Sequence, residues 1–204
     1  MTSRRVHWDT VYAGKAETAV SWYQPHSERS LQLIRAAPGG REASVIDVGG
    51  GASTLVDDLL ADGHRDLTVL DISEAALSRA KARLGARARD VTWIVADITN
   101  WTPSRTWAVW HDRAVFHFLM ENSQQDAYIA ALTNATKRGA AVIVATFALD
   151  GPDKCSGLPV QRYDGGSLAA RLGGDFQLIS ESAEQHVTPW GAKQSFAYSV
   201  LERR

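Results

Sequence analysis

The chain has 204 residues, of which 45% are apolar and 22% are charged, and its formal net charge is −1. This length suits one domain with a substantial core and disfavours two full domains, so we predict a single domain over residues 1–204. DNA binding needs a concentrated basic surface, which a near-neutral balance does not favour, and we expect no DNA partner.

The single cysteine, Cys155, excludes an internal disulfide framework and a cysteine-based structural zinc site, and it is typical of a reducing compartment. The sequence begins without an apolar core of signal-peptide length, and it has no apolar run of about 18 residues. We therefore expect a soluble cytoplasmic protein with no membrane partner.

The first part of the chain carries aromatic and polar side chains without sustained periodicity. We predict that residues 1–24 form an N-terminal cap, and that residues 25–204 form the α/β core. A helix is predicted at the start of this core, because Leu31 and Ile34 recur at helical spacing and the Pro-Gly-Gly sequence at 38–40 marks its end.

Apolar segments then alternate with helical ones. The predicted strands are 44–48, 67–71, 91–95, 106–111 and 140–147. Residues 74–84 give the clearest helix, since Leu77, Ala80 and Leu84 fall on one face. Such alternation is typical of a doubly wound α/β fold, in which helices cover both faces of a mainly parallel sheet.

The C-terminal part of the sequence has a different pattern. Residues 176–184 and 195–202 are predicted strands with a turn near residue 190 and no helix between them, which indicates an antiparallel pair. The predicted sheet therefore has seven strands. Residues 148–166 are polar and rich in Gly and Pro, and we predict a long loop there that borders the functional site.

Aspartates stand at or next to the ends of the first three predicted strands. The three motifs are Asp47 followed by Gly49, Gly50 and Gly51; Asp71 followed by Ile72; and Asp97 followed by Ile98. Ligands of open α/β sheets bind outside the carboxyl ends of the strands, and a glycine turn lets the backbone approach them closely. Asp71 lies 24 residues after Asp47, at the distance expected for a carboxylate that binds a ribose.

Other roles are open for these residues. A nicotinamide dinucleotide would also use a ribose-binding acid, but Thr54 occupies the position where its fingerprint has a third Gly or Ala. Asp47, which precedes the turn, would repel a pyrophosphate and attract a cationic ligand. Each aspartate could instead cap a helix, and the glycines could instead form a simple tight turn without a ligand.

The three motifs resemble those of class I S-adenosylmethionine-dependent methyltransferases, over roughly residues 40–150. The resemblance implies the Rossmann-like methyltransferase fold and S-adenosyl-L-methionine as cofactor, with S-adenosyl-L-homocysteine as product. It assigns the cofactor's aminoacyl part to Asp47 and Gly49–Gly51, its ribose to Asp71, and its adenine to Asp97 with Ile72 and Ile98. The sequence departs from the family at Ser53, where a further glycine is frequent.

The fourth predicted strand ends in polar residues, at the position that opens toward the transferred methyl group in this architecture. Asp112 and Arg113, followed by His117, resemble small-molecule methyltransferases of the thiopurine and tellurite-resistance type. We predict His111 as the leading catalytic candidate and as a further cofactor-binding residue, and Tyr23 as a second candidate base. The alternatives are a histidine hydrogen-bonded at a strand end, an Asp112–Arg113 ion pair and a packed His117.

The resemblance implies in-line transfer of a methyl group to a small-molecule nucleophile. The alternatives are a protein lysine methyltransferase, with a protein as substrate, and a non-catalytic module that binds S-adenosylmethionine. An NAD-linked oxidoreductase is the remaining competitor. No cluster with metal-ligand spacing is visible, so we predict metal independence. The oligomeric state and the identity of the acceptor stay open.

Overall fold

The computed structural model describes residues 3–14 and 16–204. The helices are α1 (Ser3–Gly14), α2 (Glu28–Ala36), α3 (Leu55–Asp62), α4 (Glu74–Leu84), α5 (Asn122–Ala135) and α6 (Gly165–Leu172). The strands are β1 (Val45–Val48), β2 (Leu67–Asp71), β3 (Val91–Val95), β4 (Trp107–Arg113), β5 (Thr136–Phe147), β6 (Lys154–Cys155), β7 (Leu158–Pro159), β8 (Phe176–Val187) and β9 (Lys193–Arg203).

Seven strands form one sheet in the order β3-β2-β1-β4-β5-β9-β8. Strands β1 to β5 are parallel, whereas β9 is antiparallel to both β5 and β8. The order reverses between β1 and β4, which places a crevice at their carboxyl ends. This architecture confirms the predicted fold class, including its antiparallel C-terminal pair.

The sheet is buried on both faces because its strands alternate between two apolar layers. Val45 packs on one side with residues of α2 and α3, and Ile46 packs on the other side with residues of α5. A strand covered on both faces needs apolar side chains in both directions, and all four residues of β1 are buried. Asp47 is the polar member of this strand.

The predicted loop at 148–166 is partly wrong. It contains the short hairpin β6–β7, whose turn uses Ser156 and Gly157 at positive φ, and α6 begins inside its predicted range. Asp164 and Ser167 cap this helix by reciprocal hydrogen bonds. Strands of two residues carry too little periodicity to be recognised from sequence, whereas the capping pair is a visible signal.

A buried hydrogen-bond network fixes the chain where it leaves β4. Asp112 accepts hydrogen bonds from the backbone N–H groups of Val115 (2.8 Å) and Phe116 (3.1 Å) and from the Tyr128 hydroxyl (2.7 Å). Burial raises the pKa of Asp112 to about 6. Ala114 lies in this turn at a φ of 72°, so the network holds a backbone conformation that alanine rarely adopts.

The N-terminal cap prediction covers residues 1–24, of which 1, 2 and 15 lie outside the described residues. The described part contains α1, which packs against α4, and no strand. No helix in the described ranges is long and apolar enough to cross a membrane.

Candidate active site

The three predicted aspartates lie at the carboxyl edge of three neighbouring strands. Asp47 is in β1, Asp71 ends β2, and Asp97 follows β3 by two residues. A larger cleft of about 860 Å³ is lined by Asp71 and Asp97, and a smaller cleft of about 610 Å³ is lined by Asp47. The two clefts adjoin, because they share the wall residues Tyr12, Trp22, Gly49 and Arg113.

The glycine turn between β1 and α3 leaves no space for side chains. Gly49 and Gly51 have φ angles of 70° and 46°, which favour glycine. A Cβ on Gly50 would stand 2.5 Å from Asp47 Oδ2, and one on Gly51 would stand 2.9 Å from both Asp71 Oδ2 and the Tyr12 hydroxyl. The turn therefore lies directly against two of the three carboxylates.

His111 lies beside Asp47 because the two residues are register partners in β4 and β1. Its Nδ1 is 2.7 Å from Asp47 Oδ1, and its Nε2 is 2.9 Å from the hydroxyl of Ser30 in α2. Only 1% of His111 is exposed, and both of its ring nitrogens have partners. This arrangement fixes the direction of the Asp47 carboxylate beneath the glycine turn.

Asp71 is almost fully buried, and burial raises its pKa to about 7, with smaller contributions from the nearby carboxylates of Asp47 and Asp9. Its Oδ1 accepts a hydrogen bond of 2.7 Å from the backbone N–H of Ser73. A group held in this way gains from a ligand that donates hydrogen bonds to its charged form.

Asp97 has a cationic partner that the sequence analysis missed. Arg4 Nη2 of α1 lies 3.2 Å from Asp97 Oδ2, and it also donates to the Thr99 hydroxyl at 2.8 Å. Thr99 in turn donates its hydroxyl and its backbone N–H to Asp97 Oδ1. Ile72 and Ile98 line the same larger cleft, and their place beside an adenine stays a prediction.

Aromatic residues of α1 close the larger cleft. The ring of Trp8 lies 5.7 Å from that of Trp22 and 5.1 Å from that of Phe118, and Tyr12 lies 6.1 Å from Trp22. Burial raises the pKa of Tyr12 well above its ordinary range. The signal was present in the sequence, since Arg4, Trp8 and Tyr12 recur every four residues and therefore share one helix face.

The remaining predicted residues lie in the smaller cleft or outside it. Tyr23 and His111 line the smaller cleft, whereas His117 is fully buried in a short helical turn after β4. Burial lowers the pKa of His117 to about 3. Among the described residues no group of three or more His, Cys, Asp or Glu side chains could hold a metal ion, and metal independence stays a prediction.

Residues 45–139 match the family model for a methyltransferase domain. A curated relative, the eEF1A lysine and N-terminal methyltransferase of Mus musculus, is 24% identical over 120 residues, which are 58% of this chain and 17% of the mouse protein. The chain therefore spans less than a fifth of the length of that relative.

Two solved structures are similar over almost the whole chain. A SAM-dependent methyltransferase from Anabaena variabilis has a TM-score of 0.75 at 16% identity, with 100% of this chain and 96% of that chain covered. The 1,6-didemethyltoxoflavin-N1-methyltransferase from Burkholderia thailandensis has a TM-score of 0.69 at 16% identity, with coverages of 99% and 89%. At these identities the similarity establishes the fold.

The reversal of strand order and the carboxylate-lined crevice define a Rossmann-like fold. Residues 45–139 match the methyltransferase-domain model, and the whole fold, including the antiparallel β9 strand, is similar to that of a solved SAM-dependent methyltransferase. The resemblance seen in the sequence motifs is thereby confirmed.

Gly50→Ala should lower the affinity for S-adenosylhomocysteine about tenfold or more, because the new Cβ would meet Asp47 Oδ2 at 2.5 Å and Val69 Cγ1 at 2.7 Å. Isothermal titration calorimetry measures this change. The matched control is Gly166→Ala in α6, whose Cβ has its nearest neighbour at 3.8 Å. Unchanged affinity in Gly50→Ala would show that the turn does not contact the cofactor.

Asp71→Asn should weaken cofactor binding and stabilise the ligand-free protein. Because the native pKa of about 7 lies above the ordinary aspartate pKa of about 3.9, the folded state holds a proton that the unfolded chain has released between these pH values. Stability therefore falls as the pH rises through this interval, and the full unfavourable contribution is present above it. An uncharged amide avoids that contribution.

Thermal unfolding at about pH 8 should accordingly occur at a higher temperature in Asp71→Asn than in the unmodified protein. Affinity for S-adenosylhomocysteine should fall about tenfold or more at the same pH. The control is Asp90→Asn, which changes an exposed carboxylate. If Asp71→Asn and the unmodified protein had equal melting temperatures and equal affinities, Asp71 would not be part of the cofactor site.

Proposed function

We propose that the protein transfers the methyl group of S-adenosylmethionine to a small-molecule nucleophile by in-line displacement. A lone pair of the acceptor forms the new bond to the methyl carbon while the electrons of the carbon–sulfur bond move to sulfur, which gives S-adenosylhomocysteine. A proton carried by the acceptor atom passes to water or to a base. The observation that supports this function best is the meeting of Asp47, Asp71 and Asp97 along one crevice beside the glycine turn.

The cofactor assignments follow the positions of these groups. Asp47 and the turn Gly49–Gly51 hold the aminoacyl part, where a carboxylate suits the cofactor's ammonium group. Asp71 accepts hydrogen bonds from the ribose hydroxyls, and Asp97 accepts from the adenine amino group. Ile72 and Ile98 pack against the base, since both line the larger cleft.

His111 acts mainly through Asp47 rather than as a base. A buried imidazole with both ring nitrogens hydrogen-bonded has no free nitrogen to receive a proton from an acceptor. Tyr23 lines the smaller cleft and remains the candidate base for acceptors that must lose a proton. A thiol acceptor ionises readily and needs little help.

The wider organisation is part of the same proposal. Residues 1–204 form one methyltransferase domain, with 1–24 as its cap, and the protein works in the cytoplasm without a DNA partner. A protein substrate is the second candidate, because the mouse relative is named as a lysine and N-terminal methyltransferase.

The test is methyl transfer from labelled S-adenosylmethionine to thiols, phenols, amines and the proteins of a cell lysate. We expect label in a small molecule and one S-adenosylhomocysteine for each methyl group transferred. Label in lysate proteins alone would favour the second candidate, and cofactor binding without any transfer would indicate a binding module. Tighter binding of NAD than of S-adenosylmethionine would contradict both methyltransferase functions.

The variant His111→Gln distinguishes a positioning role of His111 from a role as the general base. The amide of glutamine can still donate to Asp47 but lacks the rigid ring that also contacts Ser30, so it should hold Asp47 less well. KM for S-adenosylmethionine should therefore rise about tenfold while kcat with a thiol stays within about threefold. The pH profile of kcat should not change. Loss of kcat confined to phenols and amines, with loss of one limb of the pH profile, would instead identify His111 as the base. Tyr23→Phe is the companion variant, and it should slow phenols and amines but not thiols.

A further inference from the structure

The larger cleft extends from Asp71 and Asp97 to a chamber on the opposite side of β4. Its walls, which we call the acceptor chamber, are formed by Trp22, Phe118, Leu119, Phe147, Cys155 and Phe196. These residues come from the cap, the turn after β4, the end of β5, β6 and β9. Aromatic and aliphatic walls of this kind suit a flat, largely apolar molecule.

Arg113 lies at the border between this chamber and the two clefts. Its guanidinium carbon is 4.4 Å from the ring centre of Phe196, its Nε donates to the Tyr198 hydroxyl at 3.0 Å, and its Nη1 donates to the carbonyl of Trp22 at 3.4 Å. The guanidinium is therefore held in place from several directions.

One end of this guanidinium has an ion-pair partner but makes no hydrogen bond. Arg113 Nη2 is buried and makes no hydrogen bond to any described residue, and Glu184 Oε2 is 3.9 Å away, beyond hydrogen-bonding distance. Glu184 does not line either cleft, and its other oxygen accepts from Gln24 at 3.3 Å. Glu184 Oε2 is also buried without a hydrogen bond, so Glu184 balances part of the positive charge and leaves the Nη2 hydrogens without an acceptor.

A second buried polar group of the same region is also unpartnered. Gln194 of β9 lines the larger cleft, and its Oε1 makes no hydrogen bond among the described residues. Native proteins leave few buried polar atoms unsatisfied, and those that line a cleft indicate groups supplied by a ligand. The adenosyl-binding carboxylates lie on the other side of β4, so the acceptor is the ligand that meets Arg113 and Gln194.

We propose that Arg113 binds the acceptor, and that the acceptor is a planar aromatic molecule carrying a carboxylate or another oxyanion. This inference rests on the proposed function. The oxyanion receives the free Nη2 hydrogens of Arg113 and is also attracted by the positive sulfonium of the cofactor. The aromatic ring packs against Phe118 and against the contacting pair Phe147 and Phe196, and the Gln194 amide bonds a polar substituent at the ring edge.

The test uses the complex with S-adenosylhomocysteine, in which no turnover occurs, and two probes with the same rings. Calorimetry or saturation-transfer NMR compares 2-naphthoate with its uncharged match, 2-naphthamide. The unmodified protein should bind the carboxylate at least about tenfold more tightly. Arg113→Gln should abolish this preference, and Arg113→Lys, which retains the charge, should keep part of it.

Arg105→Gln is the matched control. Arg105 lies just before the first residue of β4, at the end of the strand opposite to Arg113, and pairs with Asp66 at the surface. This variant should keep the full preference. Affinity for S-adenosylhomocysteine should stay within about threefold in the Arg113 variants, and circular dichroism should report an intact fold. If Arg113→Gln does not fold, Arg113→Lys alone must weaken binding of 2-naphthoate more than that of 2-naphthamide.

Equal affinities for the two probes in the unmodified protein, or no binding of either at millimolar concentration, would overturn the proposal. A tenfold loss of S-adenosylhomocysteine affinity in Arg113→Lys would also overturn it, since Arg113 would then hold the carboxylate of the cofactor. Methyl transfer to neutral thiols that proceeds without any preference for oxyanions rejects this inference alone. Failure to bind S-adenosylhomocysteine at all rejects the proposed function as well.

Discussion

The site depends on placing three carboxylates side by side, of which Asp47 and Asp71 are buried and Asp97 is half-buried, and each of them has different partners. Asp47 is hydrogen-bonded to His111, and Asp97 is paired with Arg4, whereas the partners of the Asp71 carboxylate among the described residues are the backbone N–H groups of Ser73 and Ile72. Burial without a counter-ion disfavours the charged form, which is why the pKa of Asp71 rises to about 7. Ribose hydroxyls would supply the missing hydrogen bonds, so the least satisfied carboxylate is the one that gains most from the cofactor.

The N-terminal helix completes this arrangement from above the sheet. Arg4 reaches Asp97, the Ser73 hydroxyl donates to Asp9 at 2.6 Å, and Trp8 and Tyr12 contact Trp22. These contacts join the N-terminal helix to the ends of β2 and β3, where Asp71 and Asp97 lie. A helix held in this way would exclude water from a sulfonium bound in the larger cleft, and alignment in a dry cleft is most of what methyl transfer requires.

Much of the fold was predictable, because regular periodicity defines buried strands and amphipathic helices. Strands β2 and β3 and helix α4 begin and end at the predicted residues, and Asp47, Asp71 and Asp97 meet as their strand-end positions indicate. Contacts between distant segments were not predictable. Ser30 and His111 are 81 residues apart, and no local sequence pattern predicts that their side chains form a hydrogen bond. The position of the Arg113 guanidinium is a second example, because it is set by Tyr198 and Glu184, which only the folded sheet brings near.

A crystal structure of the complex with S-adenosylhomocysteine tests the central claim most directly. We expect hydrogen bonds of about 2.6–3.2 Å that the ribose hydroxyls donate to Asp71, the cofactor's amino group donates to Asp47, and the adenine amino group donates to Asp97. Density for the ligand elsewhere, or a bound ligand whose ribose lies away from Asp71, would contradict it.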